Sequence, residues 1–290
     1  MKEKKASKVI SNYFSLIKFS HTIFALPFAI IGYFLAIKFT NATFSLVLFV
    51  KVILCMVFAR NAAMAFNRYI DRAYDQMNPR TAIREIPSGI IKSKNAILFV
   101  VLNVVLFVVT TFFINPLCFY LSPVALLVIL GYSYTKRFTA LCHLVLGLGL
   151  SLAPIGAYLA VSGKFAILPI YFSFAVLFWV TGFDIIYALQ DESFDKSQRL
   201  KSIPVFLGKN KALLLSVVLH FFSGTFVLIA GWYAHFSFFY WIGAFVFIGL
   251  LTYQHTLVKP NDLSKVNLAF FTTNGIASIV FAVFLLLSLY

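Results

Sequence analysis

Apolar residues in this chain do not alternate with polar ones. They run in blocks of roughly 20, the length a helix needs to cross a bilayer's hydrocarbon core. Nine blocks stand out, centred near Ile30, Leu54, Val105, Leu127, Gly149, Ala175, Val218, Phe245 and Val280. The polar stretches between them are too short for a separate soluble domain. Residues 1–290 are therefore expected to form a single polytopic, all-α membrane domain of nine transmembrane helices. The N-terminal stretch is basic (Lys2, Lys4, Lys5, Lys8), but no small-residue cleavage site follows the run from Ile23 to Ile37. The first block thus reads as a span and not as a removable signal.

Composition agrees: 61% of residues are hydrophobic and 11% charged, against about 25% charged in a soluble domain. Cys55, Cys118 and Cys142 fall inside apolar blocks without metal-ligand spacing and read as small buried residues.

The net charge of +15 could suggest nucleic acid, but its distribution argues against that. With nine spans, 20 of the 24 lysines and arginines fall on one side of the membrane. Lys38, Lys51 and Lys164 fall on the other, and Arg60 sits inside the second span. This asymmetry predicts a cytoplasmic N-terminus, an external C-terminus and location in the cytoplasmic (inner) membrane.

The acidic residues are few and concentrated. Of nine, seven fall in two patches on the predicted cytoplasmic side: Asp71, Asp75 and Glu85, then Asp184, Asp191, Glu192 and Asp195. Asn67, Asp71 and Asp75 are spaced by four, so they share one helical face. Offsets of seven and eleven return Asp184, Asp191 and Asp195 to within about 20° of one direction. Two inward carboxylate stripes would make an oxygen-only cage suited to Mg²⁺, with phosphate as its remaining ligand. Arg80 and Arg84 follow the first patch, Arg199 and Lys201 the second. Acid stripe, metal and guanidinium loop together form a layout for a diphosphate. The halves also look alike, Asp75 to Gly89 paralleling Asp195 to Gly208, as a duplicated four-helix unit plus one helix would.

At these residues the chain resembles the UbiA superfamily of intramembrane aromatic prenyltransferases, over essentially its whole length. The resemblance rests on the N-x-x-x-D-x-x-x-D motif from Asn67, the Arg80–Gly89 stretch, Tyr132 with Lys136-Arg137, and the second aspartate motif opening Asp-x-x-Tyr-Ala. Many members carry Asp after the first Asn; here that position is Arg68. The resemblance implies a helical bundle around a central cavity open to lipid. It implies transfer of a polyprenyl group from a polyprenyl diphosphate to an aromatic quinone precursor. Asp71, Asp75, Asp184, Asp191 and Asp195, with Asn67, would hold Mg²⁺ and diphosphate. Arg72, Arg80, Arg84, Lys136 and Arg137 would contact the diphosphate, and Tyr132, Tyr134 and Tyr187 would line the reacting centre. Asp191 is the expected proton acceptor. The segment Phe19–Pro27 resembles the 4-hydroxybenzoate polyprenyltransferase-like branch, with Ser20 and His21 as acceptor contacts. His143, His220, His235 and His255 show no pattern.

Membrane lipid is the expected surrounding, with no nucleic acid and no obligate protein partner. The alternatives are a dihydroxynaphthoate acceptor, haem O synthase-like farnesyl transfer, and, outside enzymes, a cation transporter. Transport predicts carboxylates at mid-membrane on broken helices, whereas these lie at the ends of spans.

Overall fold

The computed structural model describes residues 11–290, without the side chain of Phe19; Lys2, Lys4, Lys5 and Lys8 lie outside the described residues. A 3-10 turn, Phe19–Phe24, leads into α1 (Leu26–Thr40). There follow α2 (Leu46–Ile70), the short α3 (Arg72–Met77), α4 (Ser93–Phe112), α5 (Pro116–Thr135) and α6 (Cys142–Ser162). The second half holds α7 (Ile167–Ala188), a 3-10 turn Leu189–Asp191, the short α8 (Glu192–Ser197), α9 (Ile203–Tyr233) and α10 (Phe238–Leu257). A π-helix, Leu268–Thr273, then opens α11 (Asn274–Leu289). Among the described residues nine helices are long and apolar enough to span a membrane, and all nine expected centres fall within them.

Local chemistry sets the ends of these helices. Ser45 Oγ accepts from the Leu48 N–H and Asn115 Oδ1 from the Cys118 N–H, satisfying donors that a helix N-terminus leaves free. The Asn115 amide also donates to the Leu159 and Ala160 carbonyls, tying the start of α5 to the end of α6.

Helices approach closely where a side chain is missing. A Cβ on Gly32 of α1 would stand 2.0 Å from the Pro154 carbonyl oxygen of α6. One on Gly147 of α6 would stand 2.6 Å from the Leu177 carbonyl of α7. Between helices in lipid, contact of this kind replaces the hydrophobic drive. Large apolar residues such as Leu127, Phe221 and Trp232 point outward.

The two long helices that carry the acidic patches both break at the patch. Helix α2 ends at Asp71 (φ −88°, ψ 2°) and restarts as α3. Helix α7 passes through its 3-10 turn into α8. Each short helix spans six residues, and each is followed by a glycine in the left-handed region, Gly89 (φ 76°) and Gly208 (φ 73°). These repeated devices support the duplication that the sequence suggested.

Candidate active site

A cavity of about 1370 Å³ runs through the bundle. Its polar end lies at the two helix breaks. Its apolar end, lined by Ile114, Cys118, Leu159 and Phe165, lies at the other ends of the spans.

At the polar end four of the five aspartates expected to bind metal are each paired with a different arginine or lysine, and the fifth, Asp184, with the His143 ring. Arg84 NH1 donates to Asp75 Oδ1 at 2.6 Å, within the first patch. The others reach further along the chain. Arg137 NH2 lies 3.2 Å from Asp71 Oδ1, and Lys136 Nζ lies 2.8 Å from Asp195 Oδ1. Arg80 Nε and NH2 donate to Asp191 Oδ1 and Oδ2 at 3.0 and 2.5 Å. His143 Nδ1 lies 2.6 Å from Asp184 Oδ2. Lys136 and Arg137, adjacent after α5, thus serve opposite patches, and Arg80 crosses from the first patch to the second.

This arrangement differs from the cage that spacing alone suggested. Among the described residues no three Asp, Glu, His or Cys side chains converge as a metal site. The stripes do face each other, but cations stand between them. The 3-10 turn re-aims Asp191 and Asp195, which a continuous helix would have kept in line with Asp184.

Burial and pairing oppose each other here. Burial raises the Asp71 carboxyl from its ordinary value, outweighing the pull of Arg137 in the other direction. Burial lowers the Lys136 ammonium, but Asp195 more than offsets it and the net shift is upward. Asn67 Nδ2 donates to Asp71 Oδ2 at 2.9 Å, as their spacing predicts.

Fourteen of the sixteen residues to which the resemblance assigns a site role line the cavity. Arg72 and Tyr134 do not. The break at Asp71 turns Arg72 back onto the end of α2, where it donates to the Tyr69 carbonyl and sits 4.5 Å from that ring. Tyr134 is two residues from Tyr132, hence on the opposite face of α5, and is exposed. Arg199 and Lys201 are also outside the cavity; Lys201 Nζ donates to the Phe138 carbonyl.

Ser20 and His21 line the cavity. The His21 ring packs against Phe270 and Phe271, with centroids 5.6 and 5.3 Å away. The Tyr187 ring lies 4.2 Å from Phe270, and its hydroxyl accepts from Arg80 NH1 at 3.1 Å.

Several residues in the site were not assigned a role from the sequence. Asn78 Nδ2 donates to Asp191 Oδ1 at 3.3 Å while its Oδ1 accepts from the Arg80 N–H, orienting that arginine. Glu85 is buried and accepts from the Ser15 hydroxyl. Arg68 is buried in the cavity wall with an unpartnered Nε. Arg60 lines the cavity and donates to the Ile17 and Lys18 carbonyls at 3.1 and 2.8 Å. The signal for Arg60 was present: an arginine inside a span is costly unless it has a task. Nothing in its spacing marked His143.

The donor set fits a hard divalent cation. It consists of carboxylate oxygens, and Asp75 Oδ2 and Asp195 Oδ2 are buried without a hydrogen-bond partner. A buried anionic oxygen left this way is destabilising, and a metal ligand bond would satisfy it.

Comparison with known proteins agrees with this geometry. The UbiA prenyltransferase family model matches residues 25–285. A 4-hydroxybenzoate octaprenyltransferase from Tolumonas auensis is 31% identical over 223 residues, 77% of this chain and 78% of that protein. One from Coxiella burnetii (strain CbuK_Q154) is 29% identical over 226 residues, 78% of each. The apo structure of a UbiA homolog from Aeropyrum pernix K1 superposes with a TM-score of 0.84 at 27% identity, covering 93% of this chain and 98% of that one. A UbiA homolog from Archaeoglobus fulgidus bound to DMAPP and Mg²⁺ shares the fold, with a TM-score of 0.73 at 21% identity and 96% and 99% coverage. The cavity, its paired carboxylates and these matches lead to one conclusion: the chain is a multi-pass membrane protein belonging to the UbiA prenyltransferase family.

Proposed function

We propose that this single-domain protein transfers a polyprenyl group from polyprenyl diphosphate to the ring of 4-hydroxybenzoate, with Mg²⁺, for quinone synthesis. The observation that carries this reading is the set of four carboxylate–cation pairs, with His143 against a fifth carboxylate, at the mouth of an apolar cavity. The pairs are poised for exchange. Arg80, Arg84, Lys136 and Arg137 would turn to the diphosphate oxygens, and the aspartates they release would be free to hold the metal. Mg²⁺, held by Asp71, Asp75, Asp184, Asp191 and Asp195, would neutralise charge on the departing diphosphate.

The chain's own residues supply the rest. The apolar walls keep water from the allylic cation, and the Tyr187 ring beside Arg80 offers it a π face. Ser20 and His21 flank the acceptor. Arg60 provides a positive charge within the span for the acceptor's carboxylate, which fits the 4-hydroxybenzoate named for the relatives. For Asp191 to take the ring proton it must first leave Arg80, and diphosphate binding would draw that arginine away. The charge asymmetry across the nine spans supports a cytoplasmic active site and N-terminus in the cytoplasmic membrane.

The test is prenyl transfer in membranes from labelled polyprenyl diphosphate, with 4-hydroxybenzoate or dihydroxynaphthoate, with and without Mg²⁺. Mg²⁺-dependent product with 4-hydroxybenzoate is expected. Product with dihydroxynaphthoate alone would reassign the acceptor, and none with either would refute the reading.

A further inference from the structure

The ninth span begins in an unusual way. Leu268–Thr273 form a π-helix, whose wider turn changes which side chains face inward. Three consecutive residues, Phe270, Phe271 and Thr272, line the cavity, which successive 100° steps of an α-helix would not favour.

The junction with α11 is held by side chains. Asn274 Nδ2 donates to the Ala269 and Phe270 carbonyls at 3.0 and 2.9 Å. Thr273 Oγ1 donates to the Leu268 carbonyl at 3.1 Å. The Asn274 N–H itself goes to the Phe271 carbonyl. Asn274 is in turn anchored on α7: its Oδ1 accepts from Trp179 Nε1 at 2.7 Å, and both residues are fully buried. An indole N–H only donates, so this bond fixes which way the amide points. Neither Asn274 nor Trp179 lines the cavity.

We propose that Asn274 is a positioning residue: its amide holds the π-helical turn that sets Phe270 and Phe271 side by side, making them, with His21, the wall on which the aromatic acceptor packs. The role rests on the acceptor reading above. The wall adjoins the reacting end through Tyr187, which stacks near Phe270 and receives the Arg80 hydrogen bond. Two further contacts fasten the same stretch to the first span. The Ser278 hydroxyl donates to the Ile23 carbonyl at 2.9 Å, and Gly275 faces the Ile23 side chain. The aromatic wall is therefore drawn from spans one, six and nine.

In Asn274→Leu, with the same branching but no amide, the acceptor KM should rise about tenfold while the prenyl-donor KM stays within about twofold. Asn274→Gln keeps the donor and should recover part of the loss. Trp179→Phe, which removes the anchoring N–H together with part of a buried ring, should give a milder form of the same split. Phe271→Ala should reproduce the split, and adding it to Asn274→Leu should bring little more, because both act through one wall. Equal rises in both KM values, or independent effects in the double variant, would overturn the proposal. A second arm needs no turnover. The thiol of Phe271→Cys, followed by peptide mass, should react with a soluble maleimide several times more slowly once Asn274→Leu is added. Unchanged reactivity would overturn the proposal even if the wild-type protein ignored 4-hydroxybenzoate, an outcome that would count against the acceptor reading alone.

Discussion

Arg80 grips Asp191 with two nitrogens, Nε at 3.0 Å from Oδ1 and NH2 at 2.5 Å from Oδ2, and in doing so joins the two acidic patches across the cavity mouth. The residues are 111 positions apart. Asn78 and Tyr187 complete the setting, Asn78 accepting from the Arg80 backbone N–H while its amide donates to Asp191, and the Tyr187 hydroxyl accepting from Arg80 NH1. Only a planar guanidinium meets this geometry.

Arg80→Lys keeps the charge and loses the fork. Charge-assisted bonds contribute about 1.5–3 kcal/mol each, so a roughly tenfold or larger rise in the donor KM is expected. Steady-state kinetics against polyprenyl diphosphate would measure it, and an unchanged KM would remove Arg80 from the diphosphate site.

Asp191→Asn retains shape but not charge. Turnover at saturating Mg²⁺ should fall by about 10²-fold or more, the usual scale for loss of one acid–base group. Full turnover would eliminate Asp191 both as metal ligand and as proton acceptor.

Chelation should abolish prenyl transfer, and Mg²⁺ should restore it. Ca²⁺, larger and less strict in geometry, should restore it poorly. The readout is product formed after titrating each ion into chelated membranes.

Arg60→Leu should raise the KM for 4-hydroxybenzoate about tenfold while leaving that for the donor unchanged. An acceptor analogue without the carboxylate should bind both forms alike. Equal sensitivity of the two acceptors would show that Arg60 only caps the Ile17 and Lys18 carbonyls.

Gly32→Ala tests packing away from the chemistry. A Cβ there would overlap the Pro154 carbonyl oxygen, and the backbone cannot easily yield, so a loss of about 1–3 kcal/mol is expected. Thermal unfolding in detergent would report it, with both KM values unaffected in the folded fraction.

The sequence by itself determined the spans and the chemistry. A block of about 20 apolar residues has few folded options in lipid other than a spanning helix, and all nine were legible. The i, i+4 spacing of Asn67, Asp71 and Asp75 survives in the structure as a hydrogen bond between the first two, because the helical ladder continues across the break at Asp71.

What only the tertiary structure decided is which polar groups meet. Arg80 with Asp191, Lys136 with Asp195 and His143 with Asp184 join elements that are far apart in sequence, and such pairings follow from how helices pack, not from local periodicity. The breaks mattered too. A few residues of non-α geometry at Asp71 sent Arg72 outward, and the 3-10 turn at Leu189–Asp191 gave each aspartate of the second patch its own partner. Helical periodicity assumes a continuous helix, so it fails at the positions where the helix stops, and this protein has set its charged groups there.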